Sequence, residues 1–138
     1  MPRILAIDYG LKRTGIAVTD PMKIIASALT TIESPRIFTF LENYLKKEVV
    51  ELILIGDPRN LDESPTSLTA DVERIIGILN RKFPAIPVKK IDERFSSVLA
   101  ARAMLEMGMK KKDRREKGVV DQVAATMLLQ EYLIHPDA

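Results

Sequence analysis

Hydrophobic positions along the chain change their period from strand-like to helix-like and back. Arg3 to Asp8 (RILAID) is an apolar run closed by an acid and predicts a buried strand. Tyr9 to Lys12 contains Gly10 and predicts a turn. Arg13 to Thr19 (RTGIAVT) is rich in β-branched residues and predicts a second strand that stops at Asp20-Pro21. Ile24 to Ile32 predicts a third, with Thr30, Thr31 and Ile32 raising its β propensity. Three strands with tight connections imply an antiparallel meander.

From Ser34 the period becomes helical. Ser34-Pro35 reads as an N-cap followed by proline in the first helical position, and Ile37, Phe38, Leu41 and Leu45 follow at helical spacing. Leu52 to Ile55 (LILI), before Gly56, has the look of a strand covered on both faces. Ser64-Pro65 repeats the cap signature ahead of the stripe Leu68, Val72, Ile75, Ile76, Leu79 and Phe83, which Pro84 stops. Val88 to Asp92 predicts a fifth strand, and Ser96 caps a helix that ends at Gly108. Val120, Val123, Ala124, Met127, Leu128 and Leu129 predict a last helix running to about Ile134. A meander followed by alternating helices and strands predicts an α/β fold, a mixed five-stranded sheet with helices on both faces. Right-handed crossovers put strand four beside strand one and strand five beyond it, in the order 3-2-1-4-5.

The 138 residues suit one domain, 1–138, with one core. No apolar run approaches the roughly 18 residues of a membrane span, and the N-terminus shows no signal-peptide anatomy. A cytoplasmic protein is expected. Cysteine is absent and the one histidine, His135, stands near the C-terminus, which excludes disulfides, thiolate zinc sites and Cys- or His-based catalysis. Net charge is only +2, yet Lys110 to Lys117 (KKKDRREK) sets six bases against two acids. Such a run suits a polyanion, and suits a solvated loop as well.

Strands one, four and five run parallel in this order, and open α/β sheets bind ligands beyond the C-terminal ends of their strands. The acids expected there are Asp8, Asp57 and the pair Asp92-Glu93, with Asp121 opening the last helix. Ala124 and Ala125 would let that helix approach the sheet and bring Asp121 to the same edge. Clustered carboxylates repel unless a cation or a proton intervenes. An all-oxygen donor set selects a hard ion, Mg²⁺ or Mn²⁺, which polarises phosphoryl oxygens and lowers the pKa of water. Taken singly, each acid also has a plain structural reading. Asp8 and Asp57 suit turns, Asp121 a helix dipole, and Asp92-Glu93-Arg94 a surface ion pair. Tyr9, Phe95 and Tyr132 are isolated aromatics that form no stacking strip.

Four blocks carry a family likeness. Asp8-Tyr9-Gly10-Leu11-Lys12-Arg13-Thr14-Gly15-Ile16-Ala17 resembles the opening motif of the YqgF (RuvX) nuclease family. Ile55 to Asp62 (IGDPRNLD), Asp92 to Ser97 (DERFSS) and Lys117 to Ala125 (KGVVDQVAA) resemble its later motifs, in order and over nearly the whole chain. Asp57 stands where an apolar residue is expected, and Ser96-Ser97 replaces a threonine-type pair. The resemblance implies an RNase H-like fold related to Holliday-junction resolvases and a role in maturing the 5′ end of 16S ribosomal RNA. By its pattern Asp8, Glu93 and Asp121 are the catalytic, metal-binding acids, and Arg13, Asn60, Arg94 and Lys117 face the substrate backbone.

The favoured reading is a metal-dependent nuclease acting on precursor rRNA. A resolvase cutting branched DNA is the alternative, and paired cuts would require a two-fold homodimer. A non-catalytic RNA-binding assembly factor is the second alternative. A phosphate binder of the actin-kinase type fits poorly, because it needs two lobes.

Overall fold

Why the chain forms a sheet with two covered faces follows from alternation along its first strands. The computed structural model describes residues 2–57, 68–92 and 117–134. Strands β1 (Arg3–Tyr9), β2 (Arg13–Thr19) and β3 (Ala26–Glu33) form the antiparallel meander. A 3₁₀ turn, Ser34–Arg36, leads into α1 (Ile37–Lys47), then β4 (Val50–Asp57) and α2 (Thr69–Lys82). β5 (Val88–Asp92) and α3 (Lys117–Ile134) complete the described elements. β4 lies parallel beside β1 and β5 parallel beside β4, so the sheet order is β3-β2-β1-β4-β5, as expected.

Leu5, Ile7, Ile16, Val18, Ile53 and Ile55 face one side, where they pack on Ile37 and Leu41 of α1 and Val72, Ile75 and Leu79 of α2. Ile4, Ala6, Ala17 and Leu54 face the other and meet Ala125 and Leu129 of α3. The central strands are therefore apolar on both faces, which is why β4 reads as an unbroken hydrophobic run. Three alanines, Ala6, Ala17 and Ala125, are each 0% exposed and bring α3 close to the strands.

The direction of α3 fixes which end of the sheet its first turn approaches. Leu133 and Ile134 line one pocket with Ile24, Ile25 and Ala26. Ala26 pairs with Thr19, whose hydroxyl accepts from the Ile4 amide at 3.0 Å near the start of β1. The C-terminal end of α3 thus sits at the N-terminal end of β1, and its first turn runs toward the end carrying Asp8.

Four boundaries differ from the sequence expectation. The third strand begins at Ala26 rather than Ile24, because the Asp20 carboxylate accepts from the amides of Ile24 (2.9 Å), Ile25 (2.7 Å) and Met22 (3.2 Å). Those bonds, that from Ile25 foremost, hold the Asp20 carboxyl below its usual range. Ser34 does not cap α1, which starts only at Ile37. β4 extends to Asp57, which lies in the strand rather than after it. α3 begins at Lys117, so Asp121 stands one turn inside it and the first turn holds no acid. A dipole-capping role for Asp121 loses its basis. The expected helix from Ser96 to Gly108, the Ser64-Pro65 cap and the basic run Lys110–Glu116 lie outside the described residues.

The alanine contact makes a direct stability prediction. Ala125→Leu overpacks the α3–sheet interface and lowers unfolding free energy by about 1–3 kcal/mol, read from the denaturant midpoint. An unchanged midpoint would show that α3 does not seat closely on the sheet.

Candidate active site

Alternation along β1 places Asp8 on the face of Ile4 and Ala6, the face that α3 covers. It is a buried carboxylate, 6% exposed, near the C-terminal end of the central strand. Its antiparallel partner on β2 is Gly15. On the other side Ile7 pairs with Ile55, so the next level sets Gly56 of β4 beside Asp8. Asp8 is therefore flanked by two positions without side chains. A buried charge costs several kcal/mol unless it is compensated. A cation suits this place, and an oxygen-only donor set suits a hard one.

Arg13, Gly15 and Ala17 alternate onto the same face, which brings Arg13 beside Asp8 along the diagonal, a separation of about 7–8 Å between such positions. Asp57 goes the other way. It follows Ile53 and Ile55 in alternation and belongs to the face of α1 and α2, opposite Asp8. Its Cα is level with that of Asp92 on β5. Two acids that look equivalent in sequence are thereby separated by the sheet itself.

Glu93 directly follows the last residue of β5, and it, Asn60 and Arg94 lie outside the described residues. Lys117 and Asp121 are placed by their backbone in the first two turns of α3, at the end that approaches Asp8. Asp121 precedes the sheet-facing Ala125 by one helical turn. Among the described residues no three His, Cys, Asp or Glu side chains gather. Of the three expected acids, only Asp8 has a described side chain.

The turn after Asp8 is held by a network that the sequence did not announce. Ser34 donates its hydroxyl proton to the Gly10 carbonyl, and its amide donates to the Lys12 carbonyl at 3.0 Å. Having spent that proton, Ser34 accepts from the Thr14 hydroxyl, 2.8 Å away and fully buried. Gly10 allows the closure, because a Cβ there would stand 2.6 Å from the Arg13 carbonyl oxygen. Ser34, which reads as a helix cap, is in fact the clasp of the β1–β2 turn.

A family model described as "RuvX: Holliday junction resolvase" matches residues 2–135. The chain belongs to the RuvX family. Among its relatives, a Christiangramia forsetii protein named "Putative pre-16S rRNA nuclease" is 47% identical over 133 residues, covering 96% of this chain and 98% of that one. A Bacteroides fragilis protein of the same name is 50% identical over 133 residues, covering 96% of each. In fold, the chain is similar to T. thermophilus RuvC solved with a Holliday junction substrate, at a TM-score of 0.61 and 17% identity, over 99% of this chain and 96% of that one. The RuvX chain thus has the RNase H-like fold that its motifs imply. No helix among its described residues is long and apolar enough to cross a membrane.

Two glycines of this RuvX chain should respond oppositely to alanine. Gly10→Ala forces the Arg13 backbone to move and costs about 1–3 kcal/mol of stability. At Gly77, in α2, an added Cβ would meet nothing within 4 Å, so Gly77→Ala gains up to about 1 kcal/mol. Equal shifts in the two thermal midpoints would refute the close approach at Gly10.

Proposed function

We propose that this chain is a divalent-metal-dependent nuclease that hydrolyses nucleic-acid phosphodiesters and processes the 5′ end of precursor 16S rRNA in the cytoplasm. The observation that carries the reading is the buried Asp8 carboxylate, set between Gly15 and Gly56 at the C-terminal end of the central strand. Relatives at 47–50% identity named as pre-16S rRNA nucleases support the choice of substrate.

Asp8, Glu93 and Asp121 would hold Mg²⁺ or Mn²⁺, which when bound offsets charge on the phosphoryl oxygens and makes water a better nucleophile. Their shared role needs three separate chain segments at one edge, and the antiparallel run of α3 along β1 supports that convergence. Arg13, on the face of Asp8, would hold a backbone phosphate, joined by Asn60, Arg94 and Lys117. Phosphate contacts of this kind orient the strand without reading its sequence. Asp57 is outside this site because it occupies the opposite face.

The second reading, cleavage of four-way DNA, is favoured by the resolvase family description and by the fold shared with RuvC. It would require two copies related by a two-fold axis, so that two sites cut symmetrically.

The test offers precursor 16S rRNA and a four-way DNA junction side by side to the protein and to Asp8→Asn, with Mn²⁺ and with chelator. Metal-dependent cleavage of the RNA is expected from the unaltered protein. Asp8→Asn should retain its thermal midpoint and RNA binding while losing more activity than the roughly 10–100-fold that outer-shell changes cost. Asp57→Leu should lose far less. Undiminished cutting by Asp8→Asn at matched purity would sink the site, and cutting of the junction alone would reverse the substrate.

A further inference from the structure

Tyr9 and Phe38 are far apart in the chain and show no relation in sequence, yet the fold puts them in the walls of one pocket of about 270 Å³. Ile37 and Ile75 contribute apolar surface, Arg74 a cation, and Leu11 a side chain at the turn that follows Asp8. The pocket is small beside the roughly 300–1,000 Å³ of drug-sized ligand sites, in keeping with one base-sized group. It opens at the same end of β1 as the candidate active site, because Tyr9 is the residue after Asp8 and consecutive Cα atoms are about 3.8 Å apart. Tyr9 faces α1 and α2, whereas Asp8 faces α3, so the two places lie on either side of one strand end.

We propose that this pocket receives one unstacked base of the nucleic-acid strand being cut, next to the scissile phosphate at the candidate active site; the proposal rests on the nuclease reading above. Three observations support the occupant. Two aromatic side chains, Tyr9 and Phe38, line the pocket with a cation, Arg74, and single-strand binders combine rings on which bases stack with cations that follow the backbone. Arg74 makes an exposed ion pair with Asp71 at 3.7 Å, weak enough to exchange for a phosphate oxygen. Leu11, 66% exposed, adds apolar surface to the pocket wall that a base can cover. The walls are also built in advance. Ser34, which lines the pocket, is bonded to Gly10 and Thr14, so the β1–β2 turn need not be ordered when the strand arrives.

A base-by-base deletion series tests this. A single-stranded RNA spanning the cut site is made with one abasic position moved along it, and binding is measured in the Asp8→Asn background so that nothing is cleaved. The unaltered pocket should lose about tenfold or more in affinity at one position near the scissile phosphate, the scale of one base–aromatic stack. Adding Phe38→Leu, which keeps apolar volume and removes the ring, should lower affinity for intact RNA by a similar factor and abolish the sensitivity at that position. Should Phe38→Leu fail to fold by circular dichroism, Leu11→Ser, at an exposed site, should reduce the same sensitivity. Loss spread evenly over all positions, or sensitivity untouched by the pocket variants, overturns the proposal while metal-dependent cleavage of intact RNA leaves the nuclease reading standing. Failure of the Asp8-intact protein to cut either intact RNA or four-way DNA under any metal removes both.

Discussion

A carboxylate inside the central strand of the sheet is the constraint to which much of the surrounding structure answers. Asp8 shares its face with Ile4 and Ala6 and is nearly as buried as they are. A charge in such a place is tolerated only where something offsets it, and where neighbours leave room for that partner. The sheet makes room by setting glycine on both adjacent strands at the level of Asp8. It closes the remaining side with a helix whose approach depends on small residues, Ala125 above Ala6 and Ala17. The turn beyond Asp8 is then fixed by Ser34, Thr14 and the close contact that only glycine permits at position 10.

This arrangement explains why the two faces of one strand end can do different work. On the side of α3, β1 and β2 present Asp8 and Arg13, the carboxylate proposed to hold a cation and the guanidinium proposed to hold a phosphate. On the side of α1 and α2, the next residue along, Tyr9, joins Phe38 and Arg74 around a pocket of mixed polar and apolar lining. A nucleic-acid strand crossing the sheet edge would meet both within a residue's length. Rigid strands place such groups more reproducibly than loops do, and phosphodiester chemistry depends on that positioning.

Much of the fold was legible from periodicity alone. β1 and β4 are continuous apolar runs because both faces are covered, and handedness then allows little besides the order 3-2-1-4-5. What misled the sequence reading was side-chain bonding to backbone. Asp20 draws off the amides of Ile24 and Ile25, so these apolar residues sit in a turn instead of opening β3. Ser34 bonds across to Gly10 instead of capping the helix that follows it. In the site, Asp8 and Arg13 could be picked out by motif, and alternation then settled that they share a face. Asp57 could not be separated from Asp8 without knowing that β4 runs through to it, two residues beyond Ile55. The pairing of Tyr9 with Phe38 left no trace in the sequence, since it depends on how α1 packs against β1. The cation contact of Lys89 over the Tyr132 ring, 5.1 Å to its centroid, was hidden for the same reason.

The central claim is that three carboxylates from β1, the segment after β5 and α3 form one cation site. Titration of Mn²⁺ followed by its electron paramagnetic resonance signal measures this without substrate or cleavage. The account predicts binding by the unaltered protein and a loss of at least about 10–100-fold in affinity for each of Asp8→Asn, Glu93→Gln and Asp121→Asn, with Asp57→Leu unchanged. Equal Mn²⁺ affinity in the protein and all three acid variants would contradict it.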